Sequence, residues 1–134
     1  MTNPARLRAR YVSDAVTTAS PGRLIVMLYD RLVLDLTQAE GLLVAGDRSA
    51  AADRLMHGQE ILLELRAGLD PAAWSGGTAL AQLYGFLITE LIKANVRGDA
   101  ARVGSCRRLV EPLAEAWREA ALAPAGEFAV ARVG

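Results

Sequence analysis

Apolar residues recur along most of this chain at the three- and four-residue steps of a helix, in four segments that turn chemistry separates. Ser20-Pro21-Gly22 predicts the first start, because serine accepts hydrogen bonds from orphan N–H groups and proline is pre-set for the first helical turn. From there Ile25, Leu28, Tyr29, Leu32, Leu36, Ala39 and Leu43 fall on one face, until Gly46 stops the helix and Asp47 caps the next. A second segment, Arg48 to about Gly68, stacks Leu55, Leu62, Leu65 and Leu69. The run from Asp70 to Gly77 is the longest predicted loop. A third helix, about Thr78 to Val96, carries Leu80, Leu83, Tyr84, Leu87, Ile88, Leu91, Ile92 and Asn95, and Arg97-Gly98-Asp99 repeats the stop-then-cap pattern. The fourth, Ala100 to about Leu122, carries Val103, Cys106, Leu109, Val110, Leu113 and Trp117. Pro112 inside it predicts a lost backbone bond and a kink.

No run alternates with period two for long enough to make a strand. Helices of about twenty residues, each roughly 30 Å long, joined mostly by tight turns, predict an all-α fold: an antiparallel up-down-up-down four-helix bundle over residues 20–123. Residues 1–19 hold Leu7, Tyr11, Val12, Ala15 and Val16, enough for a short N-terminal helical arm. Residues 124–134 keep no lasting period and are expected to form a loose tail.

The 134 residues, 52% of them hydrophobic, suit a single core. A net charge of zero removes the electrostatic signature of a nucleic-acid binder. The charge is uneven along the chain: +3 over residues 1–23, −4 over residues 24–70 and +1 over the rest. No apolar run is long enough to span a bilayer, and the leading arginines are not followed by a secretory core, so a soluble cytoplasmic protein is expected. One cysteine, Cys106, and one histidine, His57, are too few for a di-iron bundle site, which needs Glu-x-x-His on two helices. Cys106 falls on an apolar face, where a thiol behaves as a small hydrophobe, and Ser75-Gly76-Gly77 lacks the spacing of a phosphate-cradling loop. No catalytic residue, metal or cofactor is expected.

What remains is apolar surplus. Leu24-Ile25-Val26-Met27-Leu28-Tyr29, followed by Leu32, Val33, Leu34 and Leu36, wraps well past a core stripe of about 100°. Either this helix is central and touches two neighbours, or part of it lines a groove for a partner. Spacing predicts Ile25, Leu28 and Leu32 inward, with Leu24, Met27 and Tyr29 at the groove edge. Asn95, at a core-type position near a helix end, is expected to anchor a turn.

The string from Tyr11 through Thr18-Ala19-Ser20-Pro21 to Leu24-Ile25-Val26-Met27-Leu28-Tyr29-Asp30 resembles the flagellar secretion chaperone FliS family. Further matches are Leu65-Arg66-Ala67-Gly68-Leu69-Asp70, Leu83-Tyr84, Leu91-Ile92-Lys93-Ala94-Asn95 and Leu113-Ala114-Glu115-Ala116-Trp117, covering about residues 10 to 120. The chain departs from the family pattern at Arg31, where glycine is common, at Arg66, where Asn is frequent, and at Arg6-Leu7-Arg8, where a second aromatic is missing. The resemblance implies a helical bundle without catalysis that binds the disordered C-terminal segment of flagellin in the cytoplasm and prevents premature polymerisation. It also implies dealings with the flagellar export gate and flagellar regulators, to which no residue is assigned. Tyr11, Val16, Leu24, Met27 and Tyr29 are then the candidate partner-binding residues. A self-associating bundle without a client is the competing reading. For the arm, docking over the groove with Tyr11 as anchor competes with a disordered terminus.

Overall fold

In the computed structural model, the described residues are 21–73 and 75–122, together with Pro4 and Ala5. They form four helices: α1 (Pro21–Val44), α2 (Arg48–Ala67), α3 (Gly77–Arg97) and α4 (Ala100–Leu122), with no strand among them. The fold is an all-α helical bundle. The expected cap at Ser20, the arm with Tyr11 and Val16, and the tail from residue 124 lie outside the described residues.

The two Gly-Asp pairs do what their chemistry predicts. Gly46 (φ 82°) and Gly98 (φ 62°) take left-handed conformations that a side chain would strain. After α1, Gly46 N donates to Leu43 O and Asp47 N to Leu42 O, at 3.1 and 2.8 Å, consuming two orphan carbonyls. Asp47 then accepts from Ala50 N at 3.1 Å, and Asp99 accepts from Arg102 N at 3.0 Å, so each aspartate starts the helix that follows. Helix α4 runs on through Pro112, which stands on the exposed side. Arg108, one turn earlier, whose carbonyl the proline leaves without its helical donor, is likewise an exposed residue.

Helices α1 and α3 each pack against both α2 and α4, closing a ring of four. The pairs Asp30–Arg118 and Glu40–Arg107 run in opposite chain order along α1 and α4, and Arg48 at the start of α2 reaches Asn95 and Val96 at the end of α3. Inside the ring Leu32, Leu36, Leu55, Leu62, Leu87, Leu91, Val103 and Val110 are buried, and Ile25 and Leu28 pack partly buried against them. Leu32 is therefore inward as expected, and Ile25 and Leu28 support it from the rim.

Candidate functional site

Tyr29 corrects the spacing argument. Expected at the groove edge, it is 1% exposed, because it lies one turn before Leu32 and two before Leu36 on the same face. Its phenol meets Tyr84 of α3 at 2.6 Å, oxygen to oxygen, and its ring stacks on Trp117 of α4 with centroids 6.4 Å apart. Both hydroxyls thus keep a partner after leaving water. Burial raises the pKa of each above its ordinary 10.0; for Tyr29 the hydrogen bonds with Tyr84 and Trp117 oppose the rise, while for Tyr84 the neighbouring Tyr29 adds to it. Tyr29 is a structural joint between three helices, with no surface to offer a partner.

The other two edge candidates on α1 are closer to expectation. Met27 is exposed and Leu24 is half-buried, while Leu34, two turns after Met27, extends the exposed apolar line.

The seams between helices differ in chemistry. Along α1 and α4, Arg107 Nε donates to Glu40 Oε1 at 2.9 Å and Arg107 Nη1 to Glu111 Oε1 at 2.7 Å; Arg118 bridges Asp30 and Glu115. Gly104 lets Glu40 lie against α4: a Cβ there would stand 2.5 Å from Glu40 Oε2. Between α3 and α4, Arg102 Nη1 clasps both oxygens of Glu90 at 2.8 and 3.0 Å. Cys106 lies buried near that pair, its thiol pushed up to about 11 by burial and by the Glu90 charge, against the opposing pull of Arg102. A thiol so held stays protonated and unreactive.

The α1–α2 seam holds a feature the sequence reading missed. Asp35 is wholly buried on α1, and both His57 and Arg54 of α2, with Arg31 of its own helix, converge on it. His57, too isolated in the sequence for a di-iron site, donates from Nδ1 to Asp35 Oδ2. The signal was present: Asp35 falls between Leu32, Leu36 and Ala39 on the inward face, four residues after Arg31.

Between α2 and α3 the surface carries exposed apolar side chains along with two arginines. Arg48 crosses the seam at one end, donating to the carbonyls of Asn95 and Val96 at 3.2 and 3.1 Å, so Asn95 anchors a turn through its backbone. Farther along, the guanidinium of Arg66 approaches Gly85, fixing which sides of α2 and α3 face each other. Leu63 stands one turn before Arg66 and Met56 two turns earlier; Ile92 and Val96 follow Gly85 by seven and eleven residues. All four are exposed, Met56 by 56% and Val96 by 73%. Two rows of large apolar side chains thus flank one seam and face water.

Among the described residues no group of three His, Cys, Asp or Glu side chains gathers as a metal site would require, and no helix is long and apolar enough to cross a membrane. Residues 2–124 match the family described as "Flagellar protein FliS". The chain belongs to the FliS family. It is 36% identical over 125 residues to "Flagellar secretion chaperone FliS" of Salmonella typhimurium, covering 90% of each chain. The protein of the same name from Escherichia coli is 30% identical over 115 residues, covering 84% of this chain and 85% of that one. The one from Bacillus subtilis is 24% identical over 110 residues, covering 82% of each. FliS is a family of flagellar secretion chaperones and not of enzymes, which agrees with a molecule whose distinctive surface is apolar.

Proposed function

We propose that this protein holds the disordered C-terminal segment of flagellin in the cytoplasm before export, keeping it from polymerising early. The observation that carries this reading is the exposed apolar seam of Met56 and Leu63 on α2 with Ile92 and Val96 on α3. A disordered segment loses ordering entropy when it folds on a surface, so it needs a long apolar track. Helices of 20 and 21 residues supply one of about 30 Å. Leu24 and Met27 of α1 add contacts at a second edge. The arm, with Tyr11 and Val16, covers part of the track and yields it when the client arrives; its +2 charge over residues 1–19 suits the acidic line of Asp53, Glu60 and Glu64 on α2.

Titration with the C-terminal ~50 residues of flagellin from the same genome, a span set by the area that coupled folding buries, tests the reading. Saturable binding with a gain of helical circular dichroism supports it. No binding at tens of micromolar, where a weak specific partner registers, overturns it in favour of self-association through the same seam. Deleting residues 1–18 should tighten binding if the arm competes; weaker binding would place Tyr11 in the client site instead.

A further inference from the structure

The Asp35 cluster spends less of its hydrogen-bonding capacity than its charges suggest. His57 serves Asp35 Oδ2, but Oδ1 is buried with no hydrogen-bond partner. Arg31 Nε stands 3.4 Å from it and Arg54 Nη1 3.7 Å, close enough for ionic attraction and without hydrogen-bond geometry. Among the described residues these are the contacts of both guanidiniums, whose side chains are 44% and 33% exposed. Two permanent cations thus face one carboxylate, leaving a positive balance even with a neutral imidazole. Each keeps its planar set of N–H donors for something else.

The surroundings narrow what that is. On α1, Met27 lies one turn before Arg31 and Leu24 two turns before it, so the cations adjoin an apolar edge. On α2, Asp53 and Glu60 lie about one turn either side of His57. Those acids would repel a phosphate dianion more than a single carboxylate. We propose that Arg31 and Arg54 form a fork for an aspartate or glutamate side chain of the segment this protein binds, with buried Asp35 as the positioning residue that holds both guanidiniums at the rim. This rests on the client reading above and adds to it a charge requirement: the client places an acid beside apolar residues that meet Leu24 and Met27. Paired guanidinium and carboxylate groups bond bidentately, so the fork fixes register as well as adding affinity.

The test pairs variants of both partners. Arg31→Gln and Arg54→Gln, made singly and together in the full chain, are titrated with the flagellin C-terminal segment and with versions in which each Asp or Glu becomes Asn or Gln. The double variant leaves buried Asp35 with His57 alone and should melt lower; at a temperature where circular dichroism shows it folded, it should weaken binding about tenfold, the scale of a partly exposed charge-assisted contact, with a shallower salt dependence. One acidic replacement in the segment should cost as much on the native protein and nothing more on the double variant, the signature of direct coupling. If the double variant binds the native segment as tightly as the unaltered protein does, or if no acidic replacement couples to it, the fork is overturned while the client reading stands. If inorganic phosphate at matched ionic strength competes through the same arginines, a side-chain carboxylate is the wrong ligand. If the unaltered protein does not bind the segment, the client reading falls and the fork falls with it.

Discussion

The α1–α4 seam and the α2–α3 seam are built from helices of similar length, yet one is closed by charge and the other is bordered by exposed apolar rows. Along the first, Arg107 and Arg118 each bridge two carboxylates, and Gly104 brings Glu40 down against α4. Along the second, Arg48 crosses at one end and the guanidinium of Arg66 approaches Gly85 toward the other, with no carboxylate partner among these contacts, and Met56, Leu63, Ile92 and Val96 face water. Surface ion pairs contribute little stability, about 0–1 kcal/mol each. What they do is keep a surface wet and indifferent to apolar partners. The difference therefore teaches less about what holds the bundle together than about which side of it is available to a partner.

The largest effect lies beneath both seams. Leu55→Ala or Leu91→Ala, each removing a side chain with no exposure, should cost about 2–5 kcal/mol in urea unfolding. A cost near zero would mean that the core beside the α2–α3 seam is loosely packed and that the contrast between seams is overdrawn. Tyr84→Phe comes next. It strips Tyr29 of one buried partner and should cost about 1–2 kcal/mol.

The same substitution has a pH signature. Folding raises the pKa of both tyrosines above the ordinary 10.0, so the stability from their protonated forms is complete below about 10 and is lost as the pH climbs toward the folded values. Alkaline unfolding of Tyr84→Phe should accordingly be less steep than that of the native chain, as followed by circular dichroism. An equal steepness would assign the alkaline transition to other groups.

Smaller effects separate the seams themselves. Glu40→Gln should lower stability by less than about 1 kcal/mol and leave flagellin-segment binding unchanged. The pair Met56→Ala and Ile92→Ala should lower stability by about 0.5 kcal/mol or less while weakening the segment several-fold. Should the apolar pair destabilise the fold as much as a core leucine does, those side chains are packed in solution and the open seam is not open.

Most of the architecture was legible because its punctuation is local. Gly46-Asp47 and Gly98-Asp99 each carry a stop and a cap in adjacent residues, and both work as the chemistry of glycine and aspartate requires. The surface was less legible because one stripe was sought per helix. Leu55-Met56, Leu62-Leu63 and Leu91-Ile92 are doublets whose first member is buried and whose second is exposed. Such doublets widen an apolar face past its core, and they could have marked the α2–α3 seam. Tyr29 failed for the opposite reason. An amphipathic ring beside other apolar residues reads equally as rim or core, and a hydroxyl partner 55 positions away decides it. Asp35 was counted only as part of an acidic region, since charge totals carry no direction.

The placement of Arg48 has a mechanical consequence. Its guanidinium lies over Gly98, 2.8 Å from where a Cβ would stand, and binds the last carbonyls of α3, so the two tight turns are riveted together at one end of the bundle. At the opposite end α2 and α3 are joined by the longer run from Gly68 to Gly76, largely exposed. The pair is thus pinned at Arg48 and joined at its far end by a loop. Separation of α2 from α3 should therefore begin at the loop, with amide hydrogen exchange expected to grow slower from Ala67 toward Ala51 along α2. If the client of the proposed function enters this seam, it should meet the yielding end first and the fixed end last, which would give insertion a direction.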